Sequence, residues 1–374
     1  MDSPDIRKIL YKKEGVTVKK ALIALALLCI LVLSGCSGIF DGSYTSVTPH
    51  SVPSEAPAAQ EKYGAKDRDE LYAVVEKLVH NGLTGAVIDV ATYDQLSLEG
   101  DAQWVVGAVL KNDPIAAYAV EEICFDKQII ETKARLSVVV NYRDDRSQVR
   151  SIQYVNNTQT AAAVVRQALD HCEERVVLYI HDYSGTDFEK IVEDYAHAMP
   201  QMVVECPQVS VGIYPEQGMT RVVELKLRYH TNRSVLLQMQ EEVRTVFESA
   251  KLYVSGSEEP VQVYEQLGAF LMSRFDYQIA ATATPSYSLL CQGIGDSQAF
   301  AAVYAAMCKQ SGMECIRVSG EKNGQSHVWN MVCIDGTYYH VDLMEPEFRL
   351  STGYQMDGYA WDAQAYPVCG GGAD

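Results

Sequence analysis

The stretch from Ser286 to Met313 constrains the fold of this chain more than any other. Gly293 and Gly295 permit a tight backbone turn. Directly after this turn, apolar residues recur with the i, i+3, i+4, i+7 spacing of a helix that buries one face: Phe300, Val303, Tyr304 and Met307. Ser297 therefore lies at the predicted N-terminus of a helix. Because it precedes Phe300 by three residues, its side chain is predicted to lie on the face that contacts the core.

A second stretch, downstream of this helix, predicts a β-hairpin. Two runs of alternating apolar residues flank Asp335-Gly336, which is a strong signal for a two-residue turn. With this turn, counting back along both strands places Trp329 opposite Asp342. His327 lies two residues before Trp329, so His327 and Asp342 become diagonal neighbours on one face of the sheet. We expect a hydrogen bond between this imidazole and this carboxylate.

Both stretches resemble the transglutaminase-like superfamily, whose members are papain-like enzymes of α+β fold. Several residues match the nucleophile segment of the family without a gap: Tyr287, Leu290, Gly293, Gly295, Gln298, Phe300 and Ala301. The family carries its nucleophilic cysteine at the position of Ser297. The resemblance spans about residues 256–369, and we expect a C-terminal papain-like domain over residues 256–374.

The resemblance also implies roles for residues of the predicted site. His327 and Asp342 match the catalytic histidine of the family and the aspartate that orients it. Ser297, His327 and Asp342 are therefore the candidate catalytic residues. The residues expected to support the cleft are Trp329, Asn330 and Gln298.

A serine at the nucleophile position changes the chemistry that the resemblance implies. A helix N-terminus and a nearby imidazolium favour a thiolate, whereas a serine hydroxyl must lose its proton to the histidine during attack. Structural alternatives exist for these residues. Asp296-Ser297 could simply cap the helix, and His327 with Asp342 could simply hold the hairpin together. Cys291, which lies upstream of Ser297, is an alternative nucleophile.

The first 35 residues have the pattern of a bacterial lipoprotein signal peptide. Basic residues are concentrated in the first part, and an uninterrupted apolar run follows over residues 21–33. The run ends at Leu33 to Cys36, which resembles a lipobox and implies that Cys36 is lipid-modified and becomes the mature N-terminus. The run is short for a membrane-spanning helix, which needs about 20 residues. An uncleaved signal anchor extended through Phe40 is the alternative.

Residues 36–65 are predicted to form a flexible tether. They are rich in Ser, Pro, Thr, Gly and Ala and show no apolar period. The closing segment of the chain resembles the tails of such domains in surface lipoproteins of Gram-positive anaerobes. We therefore expect an extracytoplasmic protein, lipid-anchored to the cell membrane of a Gram-positive bacterium.

Residues 66–255 are predicted to form a duplicated α+β module. The segments 67–142 and 160–229 each show a helix, a strand, a second helix and two β-like runs in the same order. A long helix over residues 233–253 is predicted to link this module to the C-terminal domain. The alternative is two similar layers that pack on each other and share no binding role.

Composition excludes some classes of function. The chain has 374 residues, 48% of them hydrophobic, and a formal net charge of −18. There is no basic stripe for phosphate contacts, so nucleic-acid binding is not expected. No zinc-protease, Walker or dinucleotide motif occurs, so neither a metal nor a cofactor is expected. The cysteines beyond Cys36 show no CxxC pair, and several are expected to be small buried residues.

Three classes of function follow from the sequence. The first is a non-catalytic or weakly active descendant that holds a peptide, protein or cell-wall peptide ligand in the cleft. The second is a working Ser-His-Asp amidase, peptidase or acyl-transfer enzyme that acts on peptide or cell-wall amide bonds. The third is a surface interaction protein that acts through the duplicated module.

Overall fold

The computed structural model describes residues 62–130, 133–257, 259–279 and 282–370. The predicted signal peptide, Cys36 and most of the predicted tether lie outside these ranges. The described residues belong to one compact unit. No helix in the described ranges is both long enough and apolar enough to span a membrane. The described chain mixes helices and β-sheets, as an α+β fold requires.

The first sheet lies at the start of the described chain. Its elements are β1 (Tyr63–Gly64), α1 (Arg68–His80), β2 (Gly85–Asp89), α2 (Leu98–Asn112), α3 (Pro114–Ala119), β3 (Val120–Ile130) and β4 (Lys133–Tyr142). The strand order is β1-β2-β4-β3, with β1 parallel to β2 and the other pairs antiparallel. The predicted tether extends to residue 65, but its last residues belong to the folded part of the chain: Tyr63 pairs with Ile88, and Ala65 is buried. A two-residue strand is too short to show a period-two pattern.

A short helix replaces part of a predicted strand in this sheet. The sequence indicates a β-like run over residues 117–125, but α3 is helical and β3 begins only at Val120. Pro114 occupies the first turn of α3, and the Asp113 side chain accepts a hydrogen bond from the Ala116 N–H at 2.7 Å. A proline at the first helical position and an aspartate cap both favour a helix here.

The second sheet follows with the same strand order. Its elements are α4 (Ser147–Arg150), β5 (Gln153–Asn157), α5 (Thr158–Asp170), β6 (Arg175–Asp182), α6 (Phe188–Ala198), β7 (Gln208–Tyr214) and β8 (Arg221–Arg228). The order is β5-β6-β8-β7, and again only the first pair is parallel. Val177 and Val222 of this sheet lie in the buried cluster of the first layer, so the two layers pack on each other. Superposition of the two units stays a prediction.

The last part of the described chain contains the predicted helix and hairpin. Its elements are α7 (Arg233–Tyr253), α8 (Pro260–Met272), β9 (Asp276–Tyr277), α9 (Pro285–Gln292), β10 (Ile294–Gly295), α10 (Ser297–Gln310), β11 (Cys315–Lys322), β12 (Gln325–Ile334), β13 (Thr337–Val341) and β14 (Tyr359–Ala360). The main sheet has the order β13-β12-β11-β14. Short 3₁₀ segments lie at Gly353–Gln355 and Ala363–Ala365.

Helix α10 lies in the core of this last part. Phe300, Val303, Tyr304 and Met307 are all buried, as their spacing predicts. The same cluster includes Leu236, Val243 and Phe247 of α7, so the predicted linking helix also belongs to this core.

The opposite face of the main sheet is covered by the C-terminal segment. Trp329 and Met331 of β12 pack there with Met356. The segment lies close to the sheet at Gly320, where an added Cβ would collide with the Ala360 carbonyl and the Trp329 ring. A glycine at this position therefore permits the close approach of β14.

Candidate functional site

A tight turn sets the start of α10. Gly293 has a φ of +88°, which favours glycine, and the next two residues form β10, parallel to β9. Asp296 caps the helix by accepting a hydrogen bond from the Ala299 N–H at 2.9 Å. Ser297 is the first helical residue, and its side chain is not the cap. Capping by Asp296 therefore leaves the Ser297 hydroxyl for other contacts.

The Ser297 hydroxyl contacts the strand that carries His327. It is buried, with 8% of the residue exposed, and its Oγ accepts a hydrogen bond from the Val328 N–H at 3.3 Å. Strand β13 pairs with β12 only as far as Asn330, so β13 does not cover this position. The helix N-terminus thus meets β12 one residue after His327.

The predicted hairpin register and the predicted hydrogen bond are both present. Ile334 pairs with Thr337 across the turn, as a two-residue loop requires. The His327 Nε2 and Asp342 Oδ2 atoms lie 2.8 Å apart, and both residues are buried. Among the described residues, His327 Nδ1 has no hydrogen-bond partner. This arrangement leaves Nδ1 as the ring atom that could exchange a proton with a nucleophile.

Asp342 also binds groups that the sequence did not predict. Its Oδ2 accepts hydrogen bonds from Lys322 Nζ at 2.8 Å and from the Tyr359 hydroxyl at 2.6 Å. Its Oδ1 accepts one from the Met344 N–H at 2.9 Å. Burial alone would raise the pKa of Asp342, but the hydrogen bonds from His327, Lys322 and Tyr359 hold it well below the usual range. Asp342 is therefore a carboxylate at neutral pH.

Lys322 joins this carboxylate to a second one. Its Nζ lies 2.7 Å from Glu345 Oε1, and the Tyr359 hydroxyl donates to the same Glu345 oxygen at 3.0 Å. Burial lowers the pKa of Lys322, but the contacts with Asp342 and Glu345 raise it by more, so the net shift is upward. The ammonium is consequently a fixed positive charge beside the His327–Asp342 pair.

Trp329 lies between His327 and a second buried histidine. The Trp329 Nε1–H donates to His340 Nδ1 at 2.9 Å, and the Trp329 ring stacks on the His327 ring at 6.1 Å. Burial lowers the pKa of His340 to about 4. Its Nε2 is buried without a hydrogen-bond partner among the described residues, and the Trp361 ring lies 4.7 Å from the His340 ring. His340 is therefore neutral at pH 7, with its proton on Nε2.

The two remaining predicted cleft residues make specific contacts. The Asn330 side-chain amide donates to the Ala301 carbonyl at 2.9 Å, which ties β12 to the first turns of α10. Gln298 Nε2 lies 3.3 Å from His197 Nε2, which belongs to α6 of the second layer. Burial and the nearby Arg317 charge lower the pKa of His197, so this neutral ring accepts the bond from Gln298.

The environment of Cys291, the alternative nucleophile, disfavours a thiolate. It lies on α9, and burial together with Glu242 raises the pKa of its thiol. A raised pKa opposes formation of the thiolate, which is the reactive species.

Sequence reasoning missed four residues around the site: Lys322, Glu345, Tyr359 and His197. Lys322 ends a strand as an ordinary charged residue, and Tyr359 follows a segment without periodicity. His197 belongs to another layer of the structure. None of them carries a local pattern that would assign it to this site.

One group in the described part of the chain has side chains that could hold a metal ion. Glu76, His80 and Asp113 offer ligand atoms within 4.8 Å of one another. His80 Nε2 lies 2.7 Å from Asp113 Oδ2, and this hydrogen bond raises the pKa of His80. Asp113 also caps α3, so an ion pair and a helix cap account for the group. This group of three residues lies in the first layer, and none of the predicted site residues belongs to that layer.

Comparison with known proteins identifies the C-terminal part. Residues 249–343 match the family model of the transglutaminase-like superfamily. The chain contains a transglutaminase-like domain. The match spans α10 and the hairpin with Ser297, His327 and Asp342. No curated protein matches the chain.

Three solved structures are similar to the chain at low identity. A cysteine protease candidate from Cytophaga hutchinsonii has 13% identity and a TM-score of 0.27, over 41% of this chain and 65% of that chain. A protein described as a TGase has 11% identity and a TM-score of 0.26, over 58% and 63%. Legionella pneumophila LapG has 13% identity and a TM-score of 0.24, over 36% and 75%. The chain thus spans less than two thirds of the first two proteins.

Proposed function

We propose that the transglutaminase-like domain holds a peptide or protein ligand in its cleft and has little or no catalytic activity. The observation that carries this proposal is the environment of Ser297. Among the described residues, its hydroxyl has one hydrogen bond, from the Val328 N–H, and none to the His327 ring. A serine nucleophile needs that bond to the ring, because the histidine must take its proton during attack.

The environment of Asp342 supports the same proposal. In a catalytic triad the carboxylate stabilises the imidazolium that forms when the histidine accepts a proton. Here Asp342 Oδ2 is shared between His327, Lys322 and Tyr359. The Lys322 ammonium already compensates part of the carboxylate charge and would repel an imidazolium at His327. The carboxylate is therefore not dedicated to His327 as it is in a catalytic triad.

The test is labelling of the protein with a fluorophosphonate, which reacts with activated serines. We expect Ser297 to remain unlabelled, so that the wild type and the Ser297→Ala variant show the same background labelling. Pull-down with peptides and with cell-wall fragments then measures binding. Labelling of Ser297 that disappears in the His327→Ala variant would refute the non-catalytic proposal.

A second candidate function is a Ser-His-Asp amidase or acyl-transfer enzyme that acts on peptide or cell-wall amide bonds. The observation that favours it is the His327–Asp342 pair at 2.8 Å, with Nδ1 of His327 left without a partner among the described residues. A ligand that moves the Ser297 hydroxyl from the Val328 N–H towards Nδ1 would complete the triad. The fluorophosphonate experiment distinguishes the two functions.

For the whole chain, we propose a surface lipoprotein anchored through Cys36. The apolar run and the lipobox-like end of residues 1–36 support it. A surface interaction protein that acts through the two similar layers is the third candidate. The common strand order of the two layers favours a shared role. Pull-down experiments with the Cys36→Ala protein, carrying further substitutions either in the two layers or in the transglutaminase-like domain, would show which part binds the ligand.

A further inference from the structure

A cavity of about 270 Å³ lies beside the first turns of α10. Gln298 and Ala299, which directly follow Ser297, line one wall, together with Ala302. The opposite wall comes from the second layer and includes Val203 and Val204, which follow α6. The cavity is therefore built by two parts of the chain, only one of which belongs to the transglutaminase-like match.

Specific contacts hold the two walls together. The Ser286 hydroxyl donates to the Pro200 carbonyl at 2.8 Å, and this hydrogen bond is buried. Gln240 of α7 donates to the Met202 carbonyl. Both bonds anchor the backbone just before Val203 and Val204, so the fold fixes this part of the wall.

Gln298, next to Ser297, is an exposed polar residue that lines the cavity. Gln298 Nε2 donates to the neutral His197 ring at 3.3 Å, and the side-chain oxygen of Gln298 has no hydrogen-bond partner among the described residues. This oxygen can accept a hydrogen bond from a ligand amide. The wall itself is mostly apolar, as in pockets that bind a side chain.

We propose that this cavity is a subsite for one apolar side chain of a peptide whose neighbouring amide lies at Ser297. This inference rests on the proposed function and names the ligand class of the same site. The volume lies below the range of about 300–1,000 Å³ of pockets for drug-sized ligands, so one side chain fits better than a larger molecule. The second layer then selects ligands for the transglutaminase-like domain.

Three variants of the full chain, one of them a control, test the subsite. Cys206 lines the cavity and is exposed, so it tolerates substitution. Cys206→Phe adds a large side chain to the lining of the cavity, Cys206→Met adds a smaller one, and Cys206→Ser is the control. Each is combined with Ser297→Cys, and labelling at position 297 by N-iodoacetyl-leucinamide and N-iodoacetyl-glycinamide is measured by peptide mass mapping. In all three proteins the native thiol at position 206 is absent.

We expect the leucyl probe to react about tenfold faster than the glycyl probe in the Cys206→Ser background, because the leucyl side chain becomes buried. In the Cys206→Phe background the ratio should fall towards one, with Cys206→Met between the two. The rate with iodoacetamide itself should be equal in all three. A ratio near one in the Cys206→Ser background would overturn the subsite.

A separate measurement keeps the subsite and the proposed function distinguishable. Binding of N-acetyl-leucinamide and N-acetyl-glycinamide to the chain with native Ser297 is followed by saturation-transfer NMR. Preference for the leucyl compound, lost in Cys206→Phe and kept in Cys206→Ser, supports the subsite even where the introduced thiol is unreactive. Equal signals from both compounds would overturn it, whatever the reactivity at position 297.

Discussion

The buried histidine behind the hairpin makes the stability of the protein depend on pH. His340 is 1% exposed, and within the described part of the chain its ring accepts one hydrogen bond, from the Trp329 Nε1–H. Burial lowers its pKa from the ordinary value of 6.5 to about 4. In the unfolded chain the ring takes up a proton below about pH 6.5, whereas in the folded protein it does so only near pH 4.

The sign and size of the effect follow from this difference. Between pH 6.5 and pH 4 the unfolded chain binds more protons at this residue, so the free energy of unfolding falls as the pH is lowered. Each pKa unit corresponds to about 1.4 kcal/mol, which gives a loss of about 3 kcal/mol by pH 4. This contribution is fully present above pH 6.5.

The His340→Gln variant isolates the contribution. The glutamine side chain does not titrate, and any loss of the hydrogen bond from Trp329 is independent of pH, so the slope of the unfolding free energy against pH reports the imidazole alone. We expect the free energy of unfolding of this variant to fall less steeply than that of the wild type between pH 7 and pH 4, by about 3 kcal/mol over the range. Urea denaturation at several pH values measures both slopes.

A matched control and a direct titration complete the experiment. His181→Gln removes a histidine whose side chain is 70% exposed and serves as the control for a substitution outside the core. NMR titration of the His340 ring, assigned by its absence in His340→Gln, should show protonation well below pH 6. Equal slopes for His340→Gln and the wild type, or a ring that titrates near pH 6.5, would refute the reasoning.

Three further predictions concern the site and the anchor. Ser297→Cys should react with iodoacetamide faster than any native cysteine, and adding His327→Ala should slow it at least tenfold; a rate that does not depend on His327 would contradict the assigned roles. Asp342→Asn should lower the free energy of unfolding at pH 7 by about 3 kcal/mol, because it leaves Lys322 and His327 without their shared carboxylate. Folding lowers the pKa of Asp342, so the wild type should keep this advantage above about pH 4 and lose it progressively as the pH falls further towards the lowered pKa. Urea denaturation should therefore show a smaller difference between the two proteins at pH 3 than at pH 7. Cys36→Ala should release the protein from the membrane fraction or leave it unprocessed, and an unmodified, soluble wild type by intact-mass spectrometry would exclude the anchor.

Local chemistry explains why part of the site could be predicted from sequence. The turn at Asp335-Gly336 fixes the register of β12 and β13 within a few residues, and the register fixes which side chains share a face. The approach of His327 to Asp342 follows from that count alone. The start of α10 is similarly local, because the turn glycines and the Asp296 cap lie within a few residues of Ser297.

The remainder depends on contacts between distant parts of the chain. Tyr359 reaches Asp342 only because the C-terminal segment folds back over the sheet beside Gly320. His197 reaches Gln298 because the second layer packs against α10. Neither contact leaves a periodic pattern. The short helix α3, by contrast, has a local sequence signal. Asp113 and Pro114 are typical of a helix start, although the β-like run that follows them predicts a strand.

The residue at position 297 affects both the free energy of unfolding and the reactivity of the site. The Ser297 hydroxyl accepts the Val328 N–H at a place where β13 no longer covers β12, and a net hydrogen bond of this kind contributes about 1 kcal/mol. A thiol is a poor acceptor, so Ser297→Cys should lose about that amount while it gains a nucleophile. Ser297→Ala should lose at least as much, because the Val328 N–H then has no acceptor. Equal unfolding free energies for all three proteins would mean that the serine contributes nothing to the junction between α10 and β12, and that its hydroxyl is free to serve His327.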